Sequence, residues 1–87
     1  MTLQQADQIW QAALGQLQLQ VTRPSYETWL RGTVGLEYVD EEFVVGTPNT
    51  FVAEMLERRM YPLIALALER AVHHRIDVRF EVLSEDR

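Results

Sequence analysis

The chain has 87 residues, a formal net charge of −5, no cysteine and no lysine, so every basic residue is an arginine. Its length accommodates one domain, since domains typically contain about 100–150 residues, and the missing cysteine excludes a disulfide framework and a thiolate zinc site. The acidic balance disfavours tight, non-specific DNA binding, and no stretch approaches the roughly 20 apolar residues of a membrane span, so a cytoplasmic domain is expected.

The first element is predicted to be a helix over residues 2–20, because apolar side chains recur there at helical spacing. They are Leu3, Ala6, Trp10, Ala13, Leu14 and Leu17. The opposite face is rich in glutamine, and no charged residue occurs between Gln8 and Thr22. The lack of charge on this face has two possible explanations. It is either an incidental feature of the composition or the mark of a contact surface, since the cores of protein interfaces are depleted in charge.

A second, short helix is predicted to begin at residues 22–25, where a proline fits the first turn, and to end at Gly32 in a left-handed cap. Its apolar face consists of Tyr26, Trp29 and Leu30. Residues 34–39 and 43–46 follow as two strands of a β-hairpin. The polar residues 40–42 between them predict a loop of about three residues.

The third helix is predicted to start at residues 47–50, with Asn49 or Thr50 as its N-cap. Its apolar positions form one stripe of Val52, Met55 and Leu56 and a second stripe of Met60, Leu63, Ile64, Ala67 and Ala71. The two stripes are offset by roughly 120°, which one straight helix cannot bury well. Because proline also removes an intrahelical hydrogen bond, a kink or break is expected at Tyr61-Pro62.

Residues 76–82 alternate between apolar and charged side chains, which is typical of a strand with one buried face. The side chains predicted to face the core are Ile76, Val78, Phe80 and Val82. Residues 1–83 are therefore predicted to form one α+β domain of order ααββα(α)β, with a three-stranded sheet covered on one face by helices. Residues 84–87 are expected to be a polar tail or the start of a linker.

Residues that could carry catalysis or bind a metal ion are not arranged for either. His73 and His74 are adjacent, so their side chains would point about 100° apart on a helix and could not chelate one ion. Ser25 and Ser84 have no base placed to activate them, and the acidic residues 40–42 are better explained as a solvated turn than as a calcium site. The chain is therefore predicted not to be an enzyme and to need no cofactor.

Several short signatures occur in one order along the chain. They are Ile9-Trp10, Pro24 to Leu30 (PSYETWL), Thr47 to Phe51 (TPNTF), Glu57 to Tyr61 (ERRMY) and Val78 to Val82 (VRFEV). Together they resemble the N-terminal domain, domain I, of the bacterial replication initiators of the DnaA family, over about residues 7–83. The resemblance implies a KH-like α+β fold, in agreement with the predicted order of helices and strands.

The resemblance also implies function: domain I of these initiators self-associates, contacts the DnaB-type replicative helicase and receives replication regulators. By position, Ile9 and Trp10 match the self-association site on the first helix. Phe51 matches the aromatic residue that contacts the helicase, while Ser25 and Tyr26 match a helicase- and regulator-binding site on the second helix. Some members of the family carry glutamate at the position of Ser25, and a serine cannot form the same charged contact.

The helical positions of these residues leave their roles open. Phe51 lies about 70° from the centre of its stripe, so it fits either an exposed anchor or the rim of the core. Trp10 lies near the middle of the first helix's stripe, for which packing in the core is the simpler interpretation. Ile9 lies about 90° from that stripe and is expected to be the more exposed of the two.

The alternative hypothesis is a KH-like domain that binds single-stranded nucleic acid. Residues 32–35 match the GxxG pattern with which KH domains clamp a nucleic-acid backbone, although here a helix cap followed by a turn is the favoured interpretation. The basic residues for such binding would be Arg58, Arg59, Arg70 and Arg75. The acidic net charge and the absence of a basic clamp predict at most weak binding of single-stranded DNA.

Overall fold

The computed structural model of the protein describes residues 2–83. The helices are α1 Leu3–Gln20, the short α2 Arg23–Ser25, α3 Thr50–Met55 and α4 Tyr61–Val72, with π turns over Tyr26–Leu30 and Leu56–Met60; the strands are β1 Val34–Val39, β2 Glu42–Thr47 and β3 Asp77–Val82. This order confirms the predicted α+β fold. The predicted tail, residues 84–87, lies outside the described residues.

The sheet has the order β1-β2-β3, with β2 in the centre. β1 pairs with β2 in antiparallel register, whereas β2 and β3 run parallel, so the chain between them must cross back over the sheet. The helices α3 and α4 form that crossover. The core lies between the sheet and the helices, where Phe43 and Val45 of β2 pack among the buried side chains of α1 and α4.

Helix α1 begins with a capping box, in which the Thr2 side chain accepts a hydrogen bond from the Gln5 backbone N–H and the Gln5 side chain accepts one from Thr2. The predicted apolar stripe is buried, with one exception. Leu3, which was expected in the core, is 60% exposed. It lies in the first turn of the helix, beyond the edge of the core.

The second helix is a single α turn followed at once by a π turn. The Arg31 backbone N–H donates to the Tyr26 carbonyl, five residues back, which is the π pattern. Gly32 follows with φ of +94° and confirms the predicted left-handed end of the helix.

The third helix is interrupted, as the offset of its apolar stripes predicts. The interruption is the π turn Leu56–Met60, and α4 begins directly after it at Tyr61, with Pro62 in its first turn, where a missing N–H is tolerated. A π turn accommodates one extra residue, which rotates everything beyond it by about 100° relative to a continuous α-helix. This rotation accounts for most of the offset and lets Leu56 and Ile64 both reach the core.

Two expectations about the strands were wrong. The hairpin loop has two residues rather than about three, because Glu42 pairs with Val39 and only Asp40 and Glu41 form the turn. Both have positive φ, as in the two-residue turns whose twist matches that of the flanking strands. Val82, predicted to face the core, is 43% exposed, since it lies at the end of an edge strand.

None of the helices in the described part of the chain is long and apolar enough to cross a membrane.

Candidate functional site

The surface of residues 2–83 carries no group of three or more His, Cys, Asp or Glu side chains that could hold a metal ion. His73 and His74 are both exposed at the end of α4. Other candidate features of the described residues are exposed apolar and charged side chains, which can contact another molecule.

One of these features is an aromatic platform, which we define as the rings of Trp29 and Phe51 together with the adjoining Met55 side chain. Asn49 caps α3 by accepting a hydrogen bond from the Val52 backbone N–H at 2.9 Å, and this places Phe51 in the first turn. Phe51 is 70% exposed, and its ring lies 5.4 Å from that of the half-buried Trp29, tilted by 57°. The indole supports a phenyl ring that projects into solvent.

Charged side chains border this platform on one side. Met55, Trp29 and Phe51 line a shallow hollow of about 390 Å³ together with Glu54, Arg58 and Arg59. Both arginines are exposed, and we refer to them as the arginine pair. An exposed aromatic ring next to guanidinium groups can bind a partner through apolar contact and charge at once.

Ser25 and Tyr26 lie on the same short helix as Trp29 and are both half-buried. The Ser25 backbone N–H donates to the Thr22 hydroxyl at 3.3 Å, so this serine belongs to the helix start. Tyr26 lines a different hollow, of about 300 Å³, with Gln18, Arg23 and Glu27. The structure thus brings Phe51 against Trp29 and leaves Tyr26 on a neighbouring surface.

Trp10 is fully buried. Its indole N–H donates to the Thr33 hydroxyl at 2.9 Å, and its ring packs 6.2 Å from that of Phe43. A contact between this side chain and a second copy of the chain is therefore not available in this structure, contrary to the role that the resemblance implies. Ile9 is half-buried and remains partly accessible on α1.

The GxxG segment is a structural element of the core. Thr33 is only 5% exposed, and its hydroxyl donates to the Leu30 carbonyl while it accepts from Trp10. A Cβ atom at Gly35 would lie 2.5 Å from the Ala6 carbonyl oxygen, so this glycine allows α1 to approach β1 closely. Because helix α1 occupies the space beside Gly35, this end of the segment offers no room for a nucleic-acid backbone, whereas Gly32 at the other end is exposed.

Sequence reasoning placed Trp29 on the apolar face of the second helix and considered the arginine pair only for nucleic-acid binding. Only part of the signal for this site was present in the spacing. Phe51 and Met55 are four residues apart on α3 and so share one helical face, whereas the arginine pair lies in the following π turn, to which the α-helical spacing rule does not apply. The contribution of Trp29 comes from another helix and could not be found by that rule.

Comparison with known proteins identifies relatives of this chain. The family model described as the DnaA N-terminal domain matches residues 7–70. The chain is 30% identical over 71 residues to the chromosomal replication initiator protein DnaA of Rippkaea orientalis, and 32% identical to those of Herpetosiphon aurantiacus and Roseiflexus castenholzii over 77 and 78 residues.

These matches cover 82%, 88% and 90% of the chain, respectively, but only 16% of each relative. The chain thus corresponds to a small part of the length of these initiators. Its match to the family model covers most of its residues, from α1 into α4. The chain therefore belongs to the DnaA N-terminal domain family.

Proposed function

We propose that this domain is a protein–protein interaction module of bacterial replication initiation, without catalysis of its own. In this proposal it recruits a DnaB-type replicative helicase, self-associates weakly and receives replication regulators. Membership of the DnaA N-terminal domain family supports the role in initiation. The observation that carries the helicase contact is the exposure of Phe51 on top of Trp29.

An exposed phenylalanine of this kind is a favourable anchor for a partner. Its burial on binding removes a large apolar area from water, and aromatic anchors carry much of the energy of small interfaces. The ring is already positioned by Trp29 and by the capped start of α3, so little conformational freedom is lost when a partner binds. A contact built around one aromatic anchor buries a small area, and interfaces of small area are typically transient.

Self-association is proposed to use the neutral face of α1 next to Ile9. Gln5 and Ala12 lie about one helical turn to either side of Ile9, and both are exposed and uncharged. Two copies can approach through this face without burying a charge, which removes one cost of association. In this arrangement Trp10 acts indirectly, by holding α1 against the sheet. Regulators are proposed to bind the neighbouring hollow around Tyr26, which Ser25 directly precedes in the chain.

The test is a titration of the isotope-labelled chain with the N-terminal domain of the host's DnaB-type helicase, followed by NMR. The two tryptophans serve as internal reporters, since Trp29 supports the platform while Trp10 is buried elsewhere. We expect the Trp29 indole signal and the amides around Phe51 to shift, while the Trp10 indole signal stays in place.

Phe51→Ala should abolish these shifts. The matched control is Leu66→Ala, since Leu66 is another exposed apolar side chain and does not line the platform. If the signals of the unmodified chain do not shift at millimolar concentrations of the helicase domain, the helicase contact is refuted.

A second candidate function, binding of single-stranded DNA, is favoured by one specific observation. The arginine pair borders a platform of two aromatic rings, and base stacking beside positive charge is how many single-strand binders work. The net charge of −5 opposes this function. Titration with an oligothymidylate would reveal it as shifts at Trp29 that weaken steeply with added salt.

A further inference from the structure

We infer that the partner surface that docks on the aromatic platform is an apolar pocket bordered by carboxylates, and that the arginine pair binds this acidic border. The inference rests on the proposed function, because it describes the chemistry of the protein partner that Phe51 anchors. It concerns Arg58 and Arg59, whose side chains line the hollow beside Phe51.

The guanidinium groups of the arginine pair are available to a partner. Within residues 2–83 the ion pairs join Arg31 to Glu27 and Arg79 to Glu42 and Glu81, and neither arginine of the pair takes part. Glu54 stands four residues before Arg58, the spacing that favours an ion pair within a helix, yet the two do not form one. Both side chains are exposed.

The lining of the hollow also carries a positive formal charge, although the domain as a whole is acidic. The hollow is lined by two arginines and one glutamate, a local charge of 2 − 1 = +1, whereas the whole chain carries −5. An acidic partner would be repelled by most of this surface and attracted here, so charge would orient the encounter. Arginine suits this task because its planar guanidinium can hold a carboxylate through two parallel hydrogen bonds.

A carboxylate-bearing protein fits this hollow better than a phosphate backbone does. A nucleic-acid strand requires a positive groove along several nucleotides, but the positive charge here is confined to one hollow that also contains Glu54. The GxxG segment, which would clamp a backbone, is packed against α1 at Gly35. Arg70 and Arg75, the other basic residues considered for nucleic acid, do not line the hollow.

The experiment compares charge reversals in the same helicase titration. Arg58→Glu/Arg59→Glu is matched by Arg70→Glu/Arg75→Glu, which changes the net charge equally at exposed positions outside the hollow. We expect the first variant to weaken binding at least about tenfold and the second about twofold or less, since only close charge pairs contribute strongly to affinity. An unchanged Trp10 indole signal verifies that each variant is folded.

A neutral variant, Arg58→Gln/Arg59→Gln, tests the electrostatic origin of the effect. Its affinity for the helicase domain should change less between about 50 mM and about 200 mM salt than that of the unmodified chain, because surface charge pairs are screened by salt. An equal salt dependence of the two chains would contradict the inference.

The remaining outcomes separate the inference from the proposed function. If Phe51→Ala abolishes binding and Arg58→Glu/Arg59→Glu leaves it intact, the docking function stands and the acidic border is wrong. If the unmodified chain does not bind the helicase domain, both are overturned. If an oligothymidylate binds the platform more tightly than the helicase domain does and competes with it, the arginine pair is a phosphate contact, and the inference is again overturned.

Discussion

Two aromatic residues of this domain, Trp10 and Phe51, have opposite surroundings although both lie on helices beside the same core. Trp10 is in the middle of the buried stripe of α1, and its one polar atom is satisfied by Thr33. Phe51 is at the start of α3 and projects from it. The first residue is therefore expected to contribute mainly to stability and the second mainly to binding.

Trp10→Phe should lower the free energy of unfolding by about 1–3 kcal/mol, through a small cavity and a Thr33 hydroxyl deprived of its donor. Chemical denaturation monitored by circular dichroism measures this loss. Phe51→Ala is the control, and because its side chain is 70% exposed it should change stability by less than about 0.5 kcal/mol. A Trp10→Phe variant as stable as the parent chain would show that the buried hydrogen bond contributes nothing.

Two glycines, Gly15 in α1 and Gly35 in β1, have contrasting surroundings, so the same substitution at both positions is informative. Gly15 lies inside α1 with open space where a Cβ would be, whereas at Gly35 that atom would collide with the Ala6 backbone and the Trp10 side chain. The same chemical change should thus have opposite effects at the two positions.

Gly15→Ala should raise the free energy of unfolding by about 0.5–1 kcal/mol, since alanine is the better helix former. Gly35→Ala should lower it by about 1–3 kcal/mol or more, because α1 and β1 must move apart to admit the methyl group. Thermal melts of both variants provide the comparison. If Gly35→Ala melted at the parent's temperature, the close approach of α1 to β1 would be wrong.

The π turn between α3 and α4 reconciles two apolar stripes that a continuous helix would place on different faces. Burial of both stripes requires this rotation about the helix axis, whether or not a proline follows the π turn. Pro62 occupies the first turn of α4, after the π turn has ended. The proline therefore accommodates the interruption without having to cause it.

Pro62→Ala should keep the interruption and change stability by no more than about 1 kcal/mol, since proline in a first helical turn is nearly neutral. Backbone chemical shifts and short-range nuclear Overhauser effects over residues 56–62 report on this directly. A continuous α-helix through these residues in the variant would identify the proline as the cause.

At the scale of the whole molecule, the last strand completes the fold although it lies beyond the residues that the family model matches. β3 pairs along its length with the central strand β2. Its residue Val78 and the directly preceding Ile76 both belong to the core. The strand is also tied to α4, because the Tyr61 hydroxyl accepts a hydrogen bond from the Val78 backbone N–H at 3.0 Å.

A chain ending after His74 should fail to fold cooperatively, since it would expose one edge of β2 and one side of the core. Loss of amide dispersion in the NMR spectrum and of a sigmoidal melt would be the signs. As a control, Val82→Ser in the full chain should change stability by less than about 0.5 kcal/mol, because Val82 is substantially exposed. A cooperative melt of the truncated chain would refute this role of β3.

Most of the predictions that rested on local sequence were confirmed. The order of the elements, the buried stripe of α1 and the left-handed end at Gly32 follow from periodicity and turn chemistry. The hairpin turn was misjudged by one residue because Glu42 is polar yet pairs with Val39. Polarity alone does not reveal where pairing ends.

The sequence by itself determined the fold class and the family, because both depend on residue type and short-range spacing, and the family resemblance in turn implied Phe51 as the candidate anchor. Only the tertiary structure decided that Trp10 is fully enclosed, that Trp29 supports Phe51, and that the arginine pair borders the same hollow. These relations join residues from different elements. They depend on how helices and strands pack across long stretches of chain, which periodicity within one element cannot specify.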